Sequence, residues 1–255
     1  MKPEPVSPSA LEAYDLLLDP PVAHRGLWSP KGAPENSLAA FEAALDAGYG
    51  IELDVRLSAD GEVMVFHDDG LERMTLRQGR LADLAATELA TLRLKDSREP
   101  IPTLRQVFDR VDGRALIHVE IKSRPGEEGP LDEAVAALLD DYRGPVAIIG
   151  FNARSHAWWA DHRPEVLRGL DSYLYEDAAG MRLPAEKRRS LQALEHIAIA
   201  RPHFLALSVD MLATESAVSA REAGFPIVAW TLRSSEQAAM FAPHYDNLIF
   251  EGFRP

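Results

Sequence analysis

The chain has 255 residues, of which 46% are apolar and 26% are charged, and it contains no cysteine. This length and balance suit one α/β-barrel domain with a substantial core, and the lack of cysteine excludes disulfides, thiolate metal sites and a cysteine nucleophile. The 27 basic and 40 acidic residues give a formal net charge of −13, which argues against a nucleic-acid binder and against stable association with anionic membranes.

The first residues of the chain predict no membrane or export element. Residues 1–21 are rich in proline and are predicted to form an N-terminal extension, followed by a single domain at residues 22–255. The first eight residues lack the apolar core of a signal peptide. The leucine run at residues 16–18 is far shorter than the ~20 residues of a membrane span. We therefore expect a cytoplasmic protein; the sequence leaves its oligomeric state open.

From residue 22 onward, short β-rich runs alternate with helical patterns, which is typical of βα units. Eight strands are predicted, at residues 22–25, 50–56, 115–122, 146–151, 166–170, 204–207, 226–231 and 247–251. Helices with apolar spacing near 3.6 are predicted at residues 38–47, 104–111, 131–139, 186–199, 214–223 and 235–241. Asn36 or Ser37 is the predicted cap of the first helix. This alternation favours a closed TIM (β/α)8 barrel over an open doubly wound sheet.

One segment departs from the repeat. After the second strand come a hairpin turn at residues 58–61 and a further β run at 62–67, and then about thirty residues (70–100) before the next clear helix. We predict a small insertion at the carboxyl end of strand two, where the active sites of TIM barrels lie. The insertion contains no aromatic residue, and its leucines are expected to pack onto the barrel. It therefore predicts small, water-soluble substrates rather than lipids.

Two strands carry acidic side chains that alternate with apolar ones. Glu52 and Asp54 lie two residues apart and share one face of their strand, and Glu120 and Lys122 do the same on the third strand. With their apolar neighbours facing the helices, the three carboxylates point inward. Like charges held together need a cation, and carboxylate oxygens suit Mg²⁺ or Ca²⁺. The alternative for any single acid is a solvated strand residue; His118, on the same face, is interpreted as structural.

Two of the eight histidines end β runs on the side where the carboxylates gather. They are His24, followed by Arg25 and Gly26, and His67, followed by Asp68. Two histidines beside a phosphodiester can divide the work of general base and general acid, and Arg25 offers a planar fork for phosphate oxygens. The residues alone thus predict phosphoryl-ester cleavage, without naming the alcohol groups.

The ordered set of motifs resembles the glycerophosphodiester phosphodiesterase family over roughly residues 22–252. The matching segments are His24-Arg25-Gly26, Pro34-Glu35-Asn36-Ser37, Glu52-x-Asp54-Val55, Asp60-Gly61, Val65-Phe66-His67-Asp68, Ile101-Pro102-Thr103-Leu104, Glu120-Ile121-Lys122 and Ala229-Trp230-Thr231-Leu232. No single motif is decisive, but their order and combination are specific.

The resemblance implies a role for each matching position. The implied roles are a metal site at Glu52, Asp54 and Glu120, catalysis by His24 and His67, phosphate contacts from Arg25 and Lys122, a pocket aromatic at Trp230, and support from Glu35 and Asn36. It also implies metal-dependent hydrolysis of glycerophosphocholine or glycerophosphoethanolamine to sn-glycerol 3-phosphate and an alcohol, which would serve lipid and glycerol metabolism. Trp230 is equally interpreted as a core residue, and Asn36 as a helix cap.

The match has two departures, and other functions stay open. Arg233 stands where the family commonly has asparagine, and the last strand carries Glu251 where the family usually has threonine and aspartate; both departures put substrate preference in question. One alternative is a related phosphodiesterase that acts on lysophospholipids or sugar phosphodiesters. A different class is a non-catalytic barrel that binds phosphodiesters. Within the reaction, attack by a substrate hydroxyl and direct attack by water are both compatible with the sequence, and so is either assignment of base and acid to the two histidines.

Overall fold

A computed structural model describes residues 2–255 of the chain. The chain divides into two compact units, one of residues 22–147 and one of residues 1–21 with 148–255. Within the described residues, the nine strands are β1 (Val22–Ala23), β2 (Gly50–Leu57), β3 (Val63–Val65), β4 (Ile117–Ile121), β5 (Val146–Gly150), β6 (Leu167–Ser172), β7 (Phe204–Ser208), β8 (Ile227–Leu232) and β9 (Asn247–Phe250).

Helices separate the strands that the sequence predicted. The ten α-helices of the described residues are α1 (Leu11–Leu18), α2 (Leu38–Asp46), α3 (Ala86–Leu89), α4 (Leu104–Val111), α5 (Pro130–Leu139), α6 (Ala153–His162), α7 (Ala185–Gln192), α8 (Ile197–Ala200), α9 (Glu215–Glu222) and α10 (Ser235–Phe241). Short 3-10 turns lie at Pro8–Ala10, Leu81–Asp83, Gly180–Arg182, Val209–Met211 and Ala242–His244. Eight of the strands coincide with the eight predicted barrel strands, and β3 coincides with the predicted β run at 62–67. At least one helix lies between each strand and the next, except between β2 and β3, which a turn connects.

In the unit of residues 22–147, β2 pairs in parallel with both β1 and β4, and β3 returns antiparallel along the end of β2. The apolar residues of β2, Ile51, Leu53 and Val55, are fully buried, as their alternation with acids predicts. The register places Asp54 directly beside Glu120 of β4. The predicted hairpin is therefore present, and the acids of two neighbouring strands lie side by side.

The segment that follows β3 has a small apolar core of its own. Leu71, Leu81, Leu89 and Leu94 are buried together with Met64, Phe66 and Ile101. Because the backbone forms only one short 3-10 turn and the four-residue α3 here, the leucine spacing reflects packing in a loop more than a helix. Of the five leucines that were expected to pack inward, Leu81, Leu89 and Leu94 are buried in this cluster, and Leu84 and Leu92 are partly buried against it.

In the other unit, β6, β7, β8 and β9 pair in parallel, each with the next. Residues 11–18, for which the sequence predicted only an extension, form α1, whose Leu17 is fully buried. The side-chain amide of Asn247 donates hydrogen bonds to the carbonyls of Leu17 and Pro20, at 2.8 and 2.9 Å. Both this helix and the strand β9 are thus fixed by one buried amide.

Two helix predictions need correction. The predicted helix 186–199 is two helices, α7 and α8, because Leu194 adopts a left-handed backbone with φ of 57° and ends the regular hydrogen bonding. Helix α6 was not predicted, although Asn152 caps it by accepting from Arg154 N–H at 3.1 Å. Among residues 2–255, none of the helices combines the length and apolar character that crossing a membrane requires.

Candidate active site

The three predicted acids form a buried cluster at β2 and β4. Glu52, Asp54 and Glu120 are 1%, 0% and 8% exposed, and each offers a carboxylate oxygen such that all three atoms lie within 4.8 Å of one another. Three carboxylates this close to each other and out of water are unfavourable unless positive charge compensates them. The cluster is therefore suited to hold cations.

Two protein cations contact the cluster. Lys122 Nζ lies 2.8 Å from Asp54 Oδ1 and 2.7 Å from Glu120 Oε1. Arg25 Nε lies 3.2 Å from Asp54 Oδ2, and the Arg25 backbone N–H donates to Glu52 Oε2 at 2.9 Å. The structure thus brings the predicted phosphate-binding residues, Arg25 and Lys122, to the same carboxylates, with Asp54 between them.

The three acids differ in their ionisation. Burial, and then the charges of Asp54 and Glu120, raise the pKa of Glu52 well above its usual value. Burial also pushes the pKa of Asp54 upward, but Lys122 and Arg25 outweigh it and hold that pKa well below the usual range. Burial raises the pKa of Glu120 against the opposing charge of Lys122. Asp54 is therefore the firmly ionised member, and Glu52 carries the largest unrelieved repulsion.

A metal ion fits this donor set. Glu52 Oε1 is buried and has no hydrogen-bond partner within residues 2–255, so one carboxylate oxygen of the cluster is free to bind a ligand. All the candidate donors are carboxylate oxygens, which are the ligands that Mg²⁺ and Ca²⁺ prefer. A divalent cation would offset the burial and the repulsion from Asp54 and Glu120 that together raise the pKa of Glu52. Glu52, Asp54 and Glu120 are the residues that would hold it.

A tight turn places His24 and Arg25 beside β2. Arg25 has a φ of 57° and Gly26 a φ of 80°, and Gly26 N–H donates to the Ala23 carbonyl at 3.1 Å. A Cβ at Gly26 would lie 2.8 Å from the backbone carbon of Ala40, so only glycine lets the turn approach α2. The turn brings His24 Nε2 within 3.9 Å of Glu52 Oε2, as the sequence predicted.

His67 is oriented by the residue that follows it. His67 Nδ1 and Asp68 Oδ1 are 2.6 Å apart, and Arg73 Nε donates to Asp68 Oδ2 at 2.5 Å. Burial of the imidazole is the main reason that the pKa of His67 falls to about 4. Burial raises the pKa of Asp68, but hydrogen bonds from Arg73 and His67 lower it overall. A neutral imidazole therefore faces an ionised carboxylate.

Glu35 and Asn36 support the cluster from the loop before α2. Arg25 Nη1 donates to Glu35 Oε1 at 2.9 Å, and the side-chain amide of Asn36 donates to Asp54 Oδ2 at 2.8 Å. The alternative interpretation of Asn36 as a helix cap is wrong, because Ser37 is the N-cap and its Oγ accepts from Ala40 N–H at 3.1 Å. Asn36 instead contributes to binding Asp54.

Trp230 and the two departures from the family pattern belong to the unit of residues 1–21 and 148–255. Trp230 is partly exposed on β8, donates from Nε1 to the Ala206 carbonyl at 2.9 Å, and packs edge-on against Phe151 at 5.7 Å. Arg233 Nη2 lies 2.5 Å from Glu251 Oε1. The two departures are therefore partners in one ion pair.

Three residues near the site were not predicted to have a role in it. Asp68 orients His67, and this role could have been predicted from the sequence because Asp68 directly follows that histidine. Arg56 lies two residues beyond Asp54 on β2, so the alternation that selected Glu52 and Asp54 also selects it. Arg73 had no local signal, because its partners Asp68 and Glu35 lie 5 and 38 residues away.

Comparison with known proteins gives one family. The model of the glycerophosphoryl diester phosphodiesterase family matches residues 24–244. A glycerophosphodiester phosphodiesterase of Caldanaerobacter subterraneus subsp. tengcongensis is 38% identical over 143 residues, which cover 51% of this chain and 57% of that relative. The matched segment thus spans little more than half the length of that curated relative.

Solved structures resemble nearly the whole chain. An Oleispira antarctica phosphodiesterase in complex with the product sn-glycerol-3-phosphate has a TM-score of 0.79 at 24% identity, with 94% of each chain covered. A glycerophosphodiester phosphodiesterase from Thermotoga maritima has a TM-score of 0.67 at 29% identity, with 90% of this chain and 93% of the other covered. These similarities, together with the order of strands and helices, confirm the predicted α/β fold class, the TIM (β/α)8 barrel.

Proposed function

Because the chain belongs to the glycerophosphoryl diester phosphodiesterase family, we propose that it hydrolyses glycerophosphodiesters to sn-glycerol 3-phosphate and an alcohol, with a divalent cation held by Glu52, Asp54 and Glu120. The observation that carries this proposal is the buried cluster of three carboxylates, whose oxygens lie within 4.8 Å of one another and which Lys122 and Arg25 flank. Positive charge collected at one point is what a phosphoryl group needs as negative charge develops on its oxygens.

The cation and the two protein cations would share the work of charge stabilisation. When bound, a divalent ion of the Mg²⁺ or Ca²⁺ kind supplies positive charge to a phosphoryl oxygen and lowers the pKa of a hydroxyl beside it. Lys122 and Arg25 are the protein groups that bind the remaining phosphoryl oxygens in this proposal. Asn36 and Glu35 keep Asp54 and Arg25 in place through hydrogen bonds of 2.8 and 2.9 Å.

We assign the general base to His67. The lowered pKa of Asp68 keeps its carboxylate ionised, and an ionised carboxylate accepts but does not donate, so the hydrogen of this pair is on His67 Nδ1. With a pKa of about 4 the ring is neutral at pH 7, which leaves the lone pair of Nε2 to accept a proton. Asp68 then stabilises the imidazolium that forms.

His24 is the proton donor in this scheme. His67 takes the proton of the neighbouring glycerol hydroxyl, whose oxygen bonds to phosphorus. The bond from phosphorus to the leaving alcohol breaks, and His24 protonates that alcohol, leaving a cyclic glycerophosphate that water opens. Glu52 Oε2 lies 3.9 Å from His24 Nε2, so the imidazole is beside the acid cluster where the phosphoryl group would bind. Attack by water in a single step is the competing route.

Small, water-soluble substrates are favoured over lysophospholipids. Most leucines of the segment after β3 are buried in its core or packed against it. Leu76, 96% exposed, is the large apolar side chain of that segment that faces solvent. A single exposed leucine is too little to make a lipid-binding patch. We therefore propose that compounds such as glycerophosphocholine and glycerophosphoethanolamine are closer to the natural substrate than lysophosphatidylcholine.

The test is release of sn-glycerol 3-phosphate from glycerophosphoethanolamine by the purified protein, in Mg²⁺, in Ca²⁺ and in EDTA. We expect release that needs a metal and falls about 100- to 10,000-fold in His67→Ala and in His24→Ala. His162→Ala is the matched control, since that exposed histidine of α6 bonds only to the Trp158 carbonyl. Phosphorus NMR during turnover distinguishes the two routes, because a cyclic glycerophosphate forms only in the first.

The proposal fails if folded protein releases nothing with either metal, or if release persists in EDTA. Rapid cleavage of lysophosphatidylcholine without cleavage of glycerophosphocholine would instead move the protein to the lipid-cleaving alternative. If the protein cleaves a sugar phosphodiester but no glycerophosphodiester, it belongs instead to the alternative class of sugar-phosphodiester hydrolases.

A further inference from the structure

A cavity of about 360 Å³ opens beside Lys122. The ends of β2 and β4 form one wall of this cavity, and the segment after β3 forms another. Six of its lining residues carry charge: Arg56, Asp69, Arg80, Lys122, Arg124 and Glu127. Lys122 also contacts Asp54 and Glu120, so the cavity adjoins the candidate metal site through one shared side chain.

Arg56 extends the row of inward residues on β2 toward this cavity. Its Nε donates to the His67 carbonyl at 2.8 Å, and its Nη1 lies 3.7 Å from Asp69 Oδ1. Its guanidinium group is thereby held at the cavity wall, between the backbone of His67 and the carboxylate of Asp69.

Arg80 is fixed in the cavity by the backbone of its own segment. Residues 70 and 80 form an antiparallel bridge, and Leu81 N–H donates to the Asp69 carbonyl at 3.0 Å. Its Nε lies 3.3 Å from Asp69 Oδ2. The segment after β3 thus delivers a guanidinium group to a defined position, which lowers the entropic cost of using it.

Three guanidinium groups meet one carboxylate. Arg124 Nη2 lies 3.1 Å from Asp69 Oδ2, in addition to the contacts of Arg56 and Arg80 with the same residue. Each guanidinium carries five N–H donors, whereas a carboxylate accepts about four hydrogen bonds. The lining as a whole carries four basic side chains (Arg56, Arg80, Lys122 and Arg124) and two acidic ones (Asp69 and Glu127), so positive charge predominates there, in a chain whose formal net charge is −13.

We propose that this cavity binds an anionic group, a carboxylate or a phosphate, on the alcohol side of the substrate. The inference rests on the function proposed above and narrows its substrate class. The glycerol side offers only hydroxyls, which need no cluster of arginines, and the reacting phosphoryl group has Arg25 and Lys122. An alcohol that carries an anion meets Arg56, Arg80 and Arg124, whereas a choline cation meets like charge.

The test compares two substrates that differ by one carboxylate, glycerophosphoserine and glycerophosphoethanolamine. We expect the wild-type protein to prefer glycerophosphoserine in kcat/KM by about tenfold at low salt, and the preference to fall toward one in Arg80→Gln/Arg124→Gln. Arg124→Lys, which keeps the positive charge, should retain part of the preference for glycerophosphoserine. Arg105→Gln is the matched control, because that side chain is 55% exposed like Arg80 and its ion pair with Asp141 is long, at 3.9 Å.

Binding measured without turnover separates the two proposals. In His67→Ala, which keeps the backbone carbonyl that Arg56 contacts, calorimetry with Mg²⁺ present should show glycerophosphoserine bound more tightly than glycerophosphoethanolamine, and the double arginine variant should remove the difference. Equal affinities, or a preference that the variant leaves unchanged, would overturn the cavity assignment even if hydrolysis is observed. Absence of hydrolysis alone would overturn the function. If the double variant does not fold, Arg124→Gln alone serves, since its side chain is 57% exposed.

Discussion

Arg73 and Glu35 form a two-point ion pair, although 38 residues separate them: Arg73 Nη1 donates to Glu35 Oε2 at 2.9 Å, and Nη2 to Oε1 at 2.6 Å. Since Arg73 also binds Asp68, and Glu35 also binds Arg25, this pair connects His67 with the loop before α2. Hydrogen bonding to Glu35 is the main reason that the pKa of Arg73 is raised. The segment after β3 therefore helps to position His67, the proposed general base, and Arg25.

Replacing Arg73 should impair activity without unfolding the protein. In Arg73→Ala we expect kcat/KM to fall about 10- to 100-fold, the range seen when groups that orient a functional side chain are lost. With the cation gone, His67 should protonate more readily, so the acid limb of the pH–rate profile should move to higher pH. Arg73→Lys should recover only part of the activity, because an ammonium group cannot make the two-point contact.

The control for Arg73 is Arg77→Ala in the same segment. The positioning role would be contradicted if the acid limb of the pH–rate profile of Arg73→Ala lies at the same pH as in the wild type and its kcat/KM equals that of Arg77→Ala. A melting temperature measured on each variant shows whether any loss of rate follows from loss of folded protein.

Removing one carboxylate of the cluster should have opposite effects with and without metal. The raised pKa of Glu52 means that its charged form is disfavoured in the folded state, so Glu52→Gln should raise the free energy of unfolding in EDTA at pH 7. With Mg²⁺ or Ca²⁺ at about 100 times Kd, the wild type should melt about 5–10 °C higher. The variant should lose that increase. The control is Glu42→Gln, because Glu42 pairs with Arg114 and not with the cluster; this variant should keep the metal-dependent rise in melting temperature. An equal response to metal in both variants would refute the site.

Buried histidines predict acid sensitivity. Burial is the main cause that lowers the pKa of His156 to about 4, as it does for His118 and His196. Between pH 6.5 and 4 the unfolded histidine binds a proton that the folded one does not, so stability present at pH 7 is lost as the pH falls. His156→Gln should reduce the loss between pH 7 and pH 5 by about 1–2 kcal/mol. Urea unfolding at both pH values measures it; identical losses in the variant and the wild type would rule out this assignment.

Two glycines with the same backbone conformation separate strain from crowding. Gly26 and Gly48 have φ of 80° and 77°, but a Cβ at Gly26 would meet Ala40 at 2.8 Å, while one at Gly48 would meet nothing within 4 Å. Gly48→Ala should cost about 1–2 kcal/mol from the left-handed backbone alone. Gly26→Ala should cost about 1–3 kcal/mol more and should lower activity by displacing His24. Equal costs in denaturant unfolding would show that α2 yields to the added methyl group.

The ion pair between Arg233 and Glu251 can be measured as a coupling. Because the Arg233 side chain is 62% exposed, its ion pair is largely screened by water, and a double-mutant cycle with glutamine at both positions should give about 0.2–1 kcal/mol. Arg221 and Asp246, joined by two hydrogen bonds of 3.0 Å each, should couple more strongly in a parallel cycle. If the coupling energy of Arg233 and Glu251 is instead larger than that of Arg221 and Asp246, interactions other than charge attraction must stabilise this exposed pair.

Local patterns in the sequence determined much of this protein. Alternation along β2 and β4 assigned Glu52, Asp54 and Glu120 to inward faces, and these three acids are buried beside one another; Lys122, just beyond β4, contacts two of them. The eight strands followed from short β-rich runs between helical patterns. These features depend on residues a few positions apart, where backbone geometry fixes which side chains share a face.

Only the tertiary structure decided which distant residues meet. The register of β2 against β4 set Asp54 beside Glu120, and the path of the segment after β3 brought Arg73 to Glu35 and Arg80 to Asp69. It also showed that Asn36 binds Asp54 and does not cap α2. Such contacts follow from strand register and loop packing over tens of residues, which no local periodicity encodes, because a side chain's partner is set by where the whole chain places its neighbour.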